Sequence, residues 1–419
     1  MDINEQTRRF IADHRTEPVR DIALHAHPED GTDLAVALDC IEGWQRARTK
    51  LPQWAACDDI IYPPHLAMEQ CSSQSTAQYK ADLARRLSSE APHPTTLIDI
   101  TGGFGVDFSY MSRIFDHAVY IERQQHLCEL AEHNMRALGI SNARIMNADA
   151  DAILDELPAA TLVMADPARR DAHGSRTYAI ADCTPDMLTI LPKLASIAPA
   201  IIIKLSPMLD WHQAAQDCNH ALDASTAHAS VSEIHIVSVH NECKELLLVI
   251  TRHTAENDGT QPSLLVTCVD DDTVFSFHPQ DATDARGLER ERERPQQNTL
   301  SASPNQLAYL YEPNASLMKA GCFDLLTQRF GITQIDRNSH LFVSDKPIDA
   351  FPGRSFAITA YGPVKHTLQG ITQANIAVRN YPASVAQVRK RYHIADGGDT
   401  FVFLTTMSGK KTAFVCVKS

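Results

Sequence analysis

A chain of 419 residues with 44 % hydrophobic content suits two or three globular domains. Its formal charge of −14 counts against a surface that coats nucleic acid uniformly, and no stretch reaches 18 apolar residues, which excludes a transmembrane helix. Ten cysteines without a C-x-x-C pair and histidines without H-E-x-x-H spacing point to reduced thiols and to no metal site.

The scattered cysteines lead to the expectation of a cytoplasmic location, and the opening M-D-I-N-E-Q-T-R-R is polar and lacks an apolar signal core. Residues 1–90 read as a helical region. Leu34, Leu38, Ile41 and Trp44 share one side of a long helix. Pro52, Pro63 and Pro64 then break the pattern. Ser72, Ser73, Ser75 and Thr76 cluster where the next helix should start, and Arg85 and Arg86 lie near its end. One reading is capping. The other is a helix start and hydroxyls aimed at a carboxylate or phosphate, with Ser73 or Thr76 on the ligand side.

Residues 97–107 read L-I-D-I-T-G-G-F-G-V-D, an apolar run ending in Asp99 and followed by a glycine turn. Gly103 and Gly105 allow close backbone approach and backbone angles that a side chain forbids. Thr101 and Asp107 lie in the same stretch and join Asp99, Gly103 and Gly105 as candidate cofactor-binding residues. Strand, glycine turn and helix make the generic nucleotide-site layout. A second strand ends at Glu122, 17 residues after Gly105, near the spacing for a carboxylate that accepts from ribose hydroxyls. An amphipathic helix follows, with Leu127, Leu130, Ala131, Met135 and Leu138 on its apolar side and Gly139 as its stop. A third strand ends near Asp149, and a fourth runs into Asp166-Pro167-Ala168-Arg169. Residues 185–196 fit a helix. Residues 200–205, A-I-I-I-K-L, fit a strand buried on both faces. Residues 233–239 and 245–251 suggest a closing antiparallel pair.

A dinucleotide dehydrogenase is disfavoured, because Phe108 stands where G-x-G-x-x-G has its third glycine. The series Asp99, Glu122, Asp149 and Asp166 resembles the class I S-adenosylmethionine-dependent methyltransferases over residues 95–251. The resemblance implies an α/β, Rossmann-like sheet of seven strands with the last pair antiparallel, and S-adenosyl-L-methionine as cofactor. It implies a glycine turn at the methionine and ribose part, Glu122 on the ribose hydroxyls, Asp149 at the adenine amine, and the loop after strand four facing the methyl acceptor. The helix before strand one often covers the cofactor in that family, which puts Ser73 and Thr76 on its side.

Beyond residue 251, A-E-N-D-G-T-Q-P marks a boundary. Residues 264–268 and 273–277 look like a short strand pair, and residues 281–303 like a polar linker or loop. Glu312-Pro313-Asn314 opens a helix whose apolar face includes Leu317, Phe323 and Leu326. Residues 351–419 alternate as strands around one basic helix, V-A-Q-V-R-K-R-Y, and M-S-G-K-K reads as a hairpin turn. Residues 356–419 hold eight Lys/Arg against two acids, a charge of +6, so the other 355 residues carry −20. A basic module on an acidic body suits a phosphate-bearing substrate. The plain alternative is a solvated charged face.

A narrower resemblance spans nearly the whole chain. The segments Y-P-P-H-L-A-M-E-Q-C-S-S-Q-S-T-A-Q-Y-K, D-I-T-G-G-F-G-V-D, M-A-D-P-A-R-R-D, L-Y-E-P-N-A-S-L-M-K-A-G, F-P-G-R-S-F and N-I-A-V-R-N-Y-P look like bacterial class I methyltransferases with a C-terminal THUMP-like domain. This implies a helical region (1–90), a methyltransferase domain (91–255), short strands and a polar linker (256–308), a ferredoxin-like piece (309–351) and a basic THUMP-like domain (352–419). It also implies RNA, tRNA or rRNA, as partner, with neither DNA nor membrane.

The candidate catalytic residues are Asp166, Pro167 and Arg169. Amine methyltransferases often carry Asn/Asp-Pro-Pro-Tyr/Phe there, and this chain lacks the second proline and the aromatic ring, so the target atom stays open. Arg169 or Arg170 could bind phosphate or stack on a base. Cys183 reads as a small buried thiol in preference to a nucleophile. Lys204 reads first as structural. Competing readings are a methyltransferase for a small molecule or protein, and an RNA-binding protein with a non-catalytic cofactor fold.

Overall fold

In the computed structural model, each apolar run that ends in an acid is a strand of one parallel sheet. The structure describes residues 3–27, 29–169, 179–223, 225–253, 263–281 and 307–419. Arg170 and nearly all of the polar insert lie outside them. The chain divides into two compact units, Met1–Ile234 with Glu245–Ser263, and His235–Lys244 with Leu264–Ser419.

The first unit begins with helices Glu5–His14, Val19–His25 and Leu34–Lys50, which bury Phe10, Ile22, Ala37 and Ile41 together. Asn4 and Asp33 cap the first and third by accepting from backbone N–H groups. Its strands are β1 (Thr96–Asp99), β2 (His117–Glu122), β3 (Ala143–Asn147), β4 (Leu162–Ala165), β5 (Ala200–Leu205), β6 (Ala229–Val239) and β7 (Glu242–Arg252). Their order is β3-β2-β1-β4-β5-β7-β6. The first five pair in parallel and β7 runs antiparallel to β5. Every residue of β4 is buried, which is why the central strands are continuous apolar runs. The seven strands and the antiparallel close are those expected. β6 starts four residues before the run expected at 233–239, and there the Ser230 hydroxyl meets His253 at 2.7 Å. Helix Met187–Ile197 begins two residues later than expected, with Asp186 as its cap.

The β6–β7 hairpin carries the chain into the second unit, turning at His240 and Asn241, both at positive φ. There β8 (Leu265–Asp270) and β9 (Thr273–Phe277) continue the order as β6-β8-β9. A second sheet holds β10 (Tyr309–Pro313), β11 (Thr333–Gln334), β12 (Phe342–Ser344), β13 (Gly353–Pro363), β14 (Asn375–Val378), β15 (Thr400–Met407) and β16 (Lys410–Lys418). Its order is β11-β12-β10-β13-β16-β15-β14. One side of its core contains Leu310, Phe356, Phe403 and Phe414, and another contains Val364, Val388, Val402 and Leu404. The segments 309–351 and 352–419 share this sheet through the β10–β13 pairing. The single helix expected after Asn314 is two, Ala315–Ala320 and Phe323–Phe330. Gly321 ends the first in the left-handed conformation at φ +72°. The basic helix is Val385–Tyr392, opened by a capping box between Ser384 and Gln387.

Candidate active site

The site grows from the carboxyl ends of β1, β2, β4 and β5. After Asp99 the chain turns through Gly103 (φ +58°) and Gly105 (φ +84°), which favour glycine. Gly102 is required by space instead: a Cβ there would lie 2.1 Å from the Tyr120 ring. The Tyr120 hydroxyl donates to the Gly103 carbonyl. Chain neighbours aside, a Cβ on Gly103 would meet only the Thr101 carbonyl, at an ordinary contact distance of 3.7 Å, so no side chain crowds that residue. Helices from residues 1–90 pack on the turn through Trp54, whose ring meets Phe104 edge-on at 4.9 Å.

The strand-end acids are tied to this turn. Asp99 accepts from the Thr101 N–H at 3.0 Å. The Thr101 hydroxyl accepts from the Asp166 N–H at 2.5 Å, which couples the ends of β1 and β4. Glu122 accepts from the Gly103 N–H at 3.1 Å and, through its other oxygen, from the Gln124 N–H at 2.9 Å. Asp149 is exposed and caps a short helix by accepting from the Asp151 N–H. The β3 end reaches Glu122 through Ala148, whose N–H donates to the Glu122 carbonyl at 3.1 Å. Pro167 is buried behind Asp166. Arg169 lies in a two-residue ribbon with Cys183, and Cys183 is buried.

Beneath the acids lies a charge cluster that is only partly legible in the sequence. Lys80 is 0 % exposed, and its ammonium lies 2.6 Å from Glu245 and 3.2 Å from Asp107. Lys204 lies 2.6 Å from Asp166 and 3.6 Å from Asp107. The Ser72 hydroxyl sits between them. It donates to Asp107 at 2.8 Å and accepts from Lys80 at 3.1 Å and Lys204 at 3.2 Å. Two ammonium groups thus face three carboxylates, Asp107, Glu245 and Asp166, and the Asp166 side chain is 42 % exposed. Lys204 therefore has direct partners in the site.

Ser73 and Thr76 serve the helix Gln74–Ser88. Ser73 accepts from the Thr76 N–H, and the Thr76 hydroxyl donates to the Ser73 carbonyl. The hydroxyl that reaches the acids belongs to Ser72. Lys80, Glu245 and the role of Ser72 were missed. Their signal is a lysine on the buried stripe Thr76, Ala77, Lys80, Ala81, Ala84, and an acid that opens an apolar strand run.

Burial sets the proton affinities, and neighbours adjust them. Asp99 is pushed up to about 7 by burial, with Asp107, Asp166 and Glu122 adding to the rise against the Thr101 N–H. Burial alone would raise Asp107, but Lys80 and Lys204 outweigh it and hold the carboxyl below its usual value. Burial would lower Lys204, yet Asp166, Asp107 and Glu245 carry it upward overall. Among the described residues no cluster could hold a metal ion, and no helix is long and apolar enough to cross a membrane.

The comparisons agree with this architecture. Residues 309–352 match a ferredoxin-like domain and residues 353–418 a THUMP domain-like family. A Porphyromonas gingivalis W83 protein, named a “putative methyltransferase”, is similar over 100 % of both chains at 29 % identity, with a TM-score of 0.79. By fold the chain has a class I methyltransferase-like α/β sheet followed by ferredoxin-like and THUMP-like domains. An rRNA methylase of Streptococcus thermophilus matches at 11 % identity over 42 % of this chain and 96 % of its own, with a TM-score of 0.32. A ribosomal protein L11 methylase of Lactobacillus delbrueckii subsp. bulgaricus matches at 15 % identity over 43 % and 80 %, with a TM-score of 0.31. Neither carries weight for function at those scores. No curated protein matches the chain.

Two outcomes follow for this methyltransferase fold. Lys80→Met leaves Glu245 and Asp107 buried without their cation and should cost about 3–5 kcal/mol in urea unfolding; an unchanged midpoint would contradict the cluster. For Asp99, the folded value of about 7 exceeds the ordinary 3.8, so the penalty on its ionised form is absent below pH 4 and complete above pH 7. Asp99→Asn should therefore raise the melting temperature of the ligand-free protein at pH 8 and leave it nearly unchanged near pH 4.

Proposed function

We propose that this chain transfers a methyl group from S-adenosylmethionine to RNA, either tRNA or rRNA. The observation that carries the reading is the meeting of the glycine turn with Asp99, Glu122 and Asp166 at neighbouring strand ends. The residues fit the cofactor: the turn leaves space beside Gly103, two acids flank it, and carboxylates outnumber ammonium groups where a cation must rest.

Bound S-adenosylmethionine supplies an electrophilic methyl carbon on a positively charged sulfur. Thr101, Gly103 and Gly105 shape the wall along the methionine and ribose part, and Asp99 meets its ammonium. Glu122 keeps lone pairs free beyond its two backbone donors and takes the ribose hydroxyls. Asp149, exposed at the end of β3, faces the adenine amine. Asp107 acts from beneath through Ser72 and the two lysines. Asp166, with one oxygen fixed by Lys204, turns the other toward the methyl acceptor, and the buried Pro167 keeps that carboxylate in place. Arg169 meets a substrate phosphate. The THUMP-like segment and the +6 charge of residues 356–419 favour RNA over a small molecule.

The test is mass spectrometry of nucleosides in total RNA from a deletion strain and its parent. One methylated nucleoside should be missing, restored by the native gene and not by Asp166→Ala. Calorimetry should show cofactor binding that weakens at least about tenfold in Glu122→Ala, a loss of roughly 1.4 kcal/mol. Because Asp99 must ionise to meet the ammonium, affinity should climb from pH 6 to pH 8 and level off above it. An unchanged nucleoside profile together with no cofactor binding would overturn the proposal.

A further inference from the structure

Three segments singled out in the sequence, L-Y-E-P-N, F-P-G-R-S-F and N-I-A-V-R-N-Y-P, take no part in the site above. In the second unit they meet. Glu312 in β10 is 2 % exposed, and both its oxygens are engaged. One accepts from Arg354, which stands directly opposite in β13, through Nε at 2.9 Å and also through Nη2. The other accepts from Arg379 Nη2 at 2.7 Å. Arg379 follows β14, and β13, β16 and β15 lie between β14 and β10 in the sheet, so a curled sheet brings the arginine back to Glu312. Asn380 reinforces the return by donating to Asp336 at 3.1 Å.

Two guanidinium groups on one carboxylate leave a positive charge over. The arginines are not spent inside the fold: Arg354 is 44 % exposed and Arg379 is 41 % exposed. Glu312 fixes both planes while each guanidinium side chain stays partly exposed to a second anion, an arrangement that suits phosphate. A stacked ring pair lies near Arg379. His340 stacks on Phe323 with centroids 4.4 Å apart and planes at 16°, and both rings are partly exposed. Burial and then the Arg379 charge hold His340 below its ordinary value, so the imidazole is neutral near pH 7. Cations beside partly exposed aromatic rings form the pattern that grips a nucleotide by its phosphate and its base.

We propose that Arg354 and Arg379, clamped by Glu312, bind a phosphodiester of an RNA strand, with the His340–Phe323 stack receiving an adjoining unpaired base. The proposal rests on the RNA reading above and deepens it.

The experiment is fluorescence anisotropy of the full chain with fluorescein-labelled deacylated bulk tRNA over a series of KCl concentrations. Arg379→Gln and Arg354→Gln should each reduce the slope of log affinity against log salt by about one. Arg379→Lys keeps the charge and should keep the slope. His340→Ala should weaken binding roughly tenfold with the slope unchanged. Glu312→Gln combined with Arg379→Gln leaves no unpaired buried carboxylate, so its slope loss cannot be attributed to unfolding. An unchanged slope in that pair, with native protein binding tRNA, would overturn the arginine site and leave the RNA reading intact. Native protein that binds neither this tRNA nor labelled rRNA fragments in the same assay, at any salt, overturns both.

Discussion

The first unit depends on one buried ammonium. Lys80 has no water, so its charge is tolerable only where Glu245, Asp107 and Ser72 surround it. Glu245 lies 165 residues away along the chain. Satisfying this one cation therefore fixes the helix Gln74–Ser88 against both β7 and the helix that follows the glycine turn. Ser72 and Asp107 then carry the constraint to Lys204, and Lys204 carries it to Asp166. The carboxylate that faces solvent is placed by a lysine that never meets it.

The same cluster explains how so many acids can share one place. Asp99, Glu122, Asp107 and Asp166 repel one another, and the raised value of Asp99 is the trace of that repulsion together with burial. Two lysines and a row of backbone N–H groups hold the arrangement together without neutralising it. A cluster left negative in this way is unfavourable by itself, and on the proposed function a bound cation would relieve it. Its self-repulsion is a cost to the stability of the ligand-free chain.

The strand ends were legible because a doubly covered parallel sheet demands unbroken apolar runs, and an acid or glycine ends each one visibly. Asp99, Glu122 and Asp166 could be found by counting along the chain. Lys80 and Glu245 could not be paired that way, since nothing local links residues so far apart. The cap at Ser73 was readable from its own neighbours, which drew attention one residue past Ser72, whose partners are all distant. The split after Ala320 shows the opposite failure. Leu317 lies six residues before Phe323 and nine before Leu326, off the three-or-four spacing of one helical face, and Gly321 between them stops the first helix before a second begins.

Charge is divided between the ends of the chain for a physical reason. On the function proposed above, the acids at the strand ends would repel a polyanion, so the charge that holds RNA is better placed away from them. Residues 356–419, with their charge of +6, are where the chain carries its excess of cations. Both places use one device with opposite signs. Lys80 is an enclosed cation among carboxylates, one step removed from a half-exposed acid; Glu312 is an enclosed anion whose two arginines are themselves half-exposed. In water such side chains would wander among rotamers. A buried counter-charge removes that freedom, so an outward-facing group arrives already oriented for a ligand of the opposite sign.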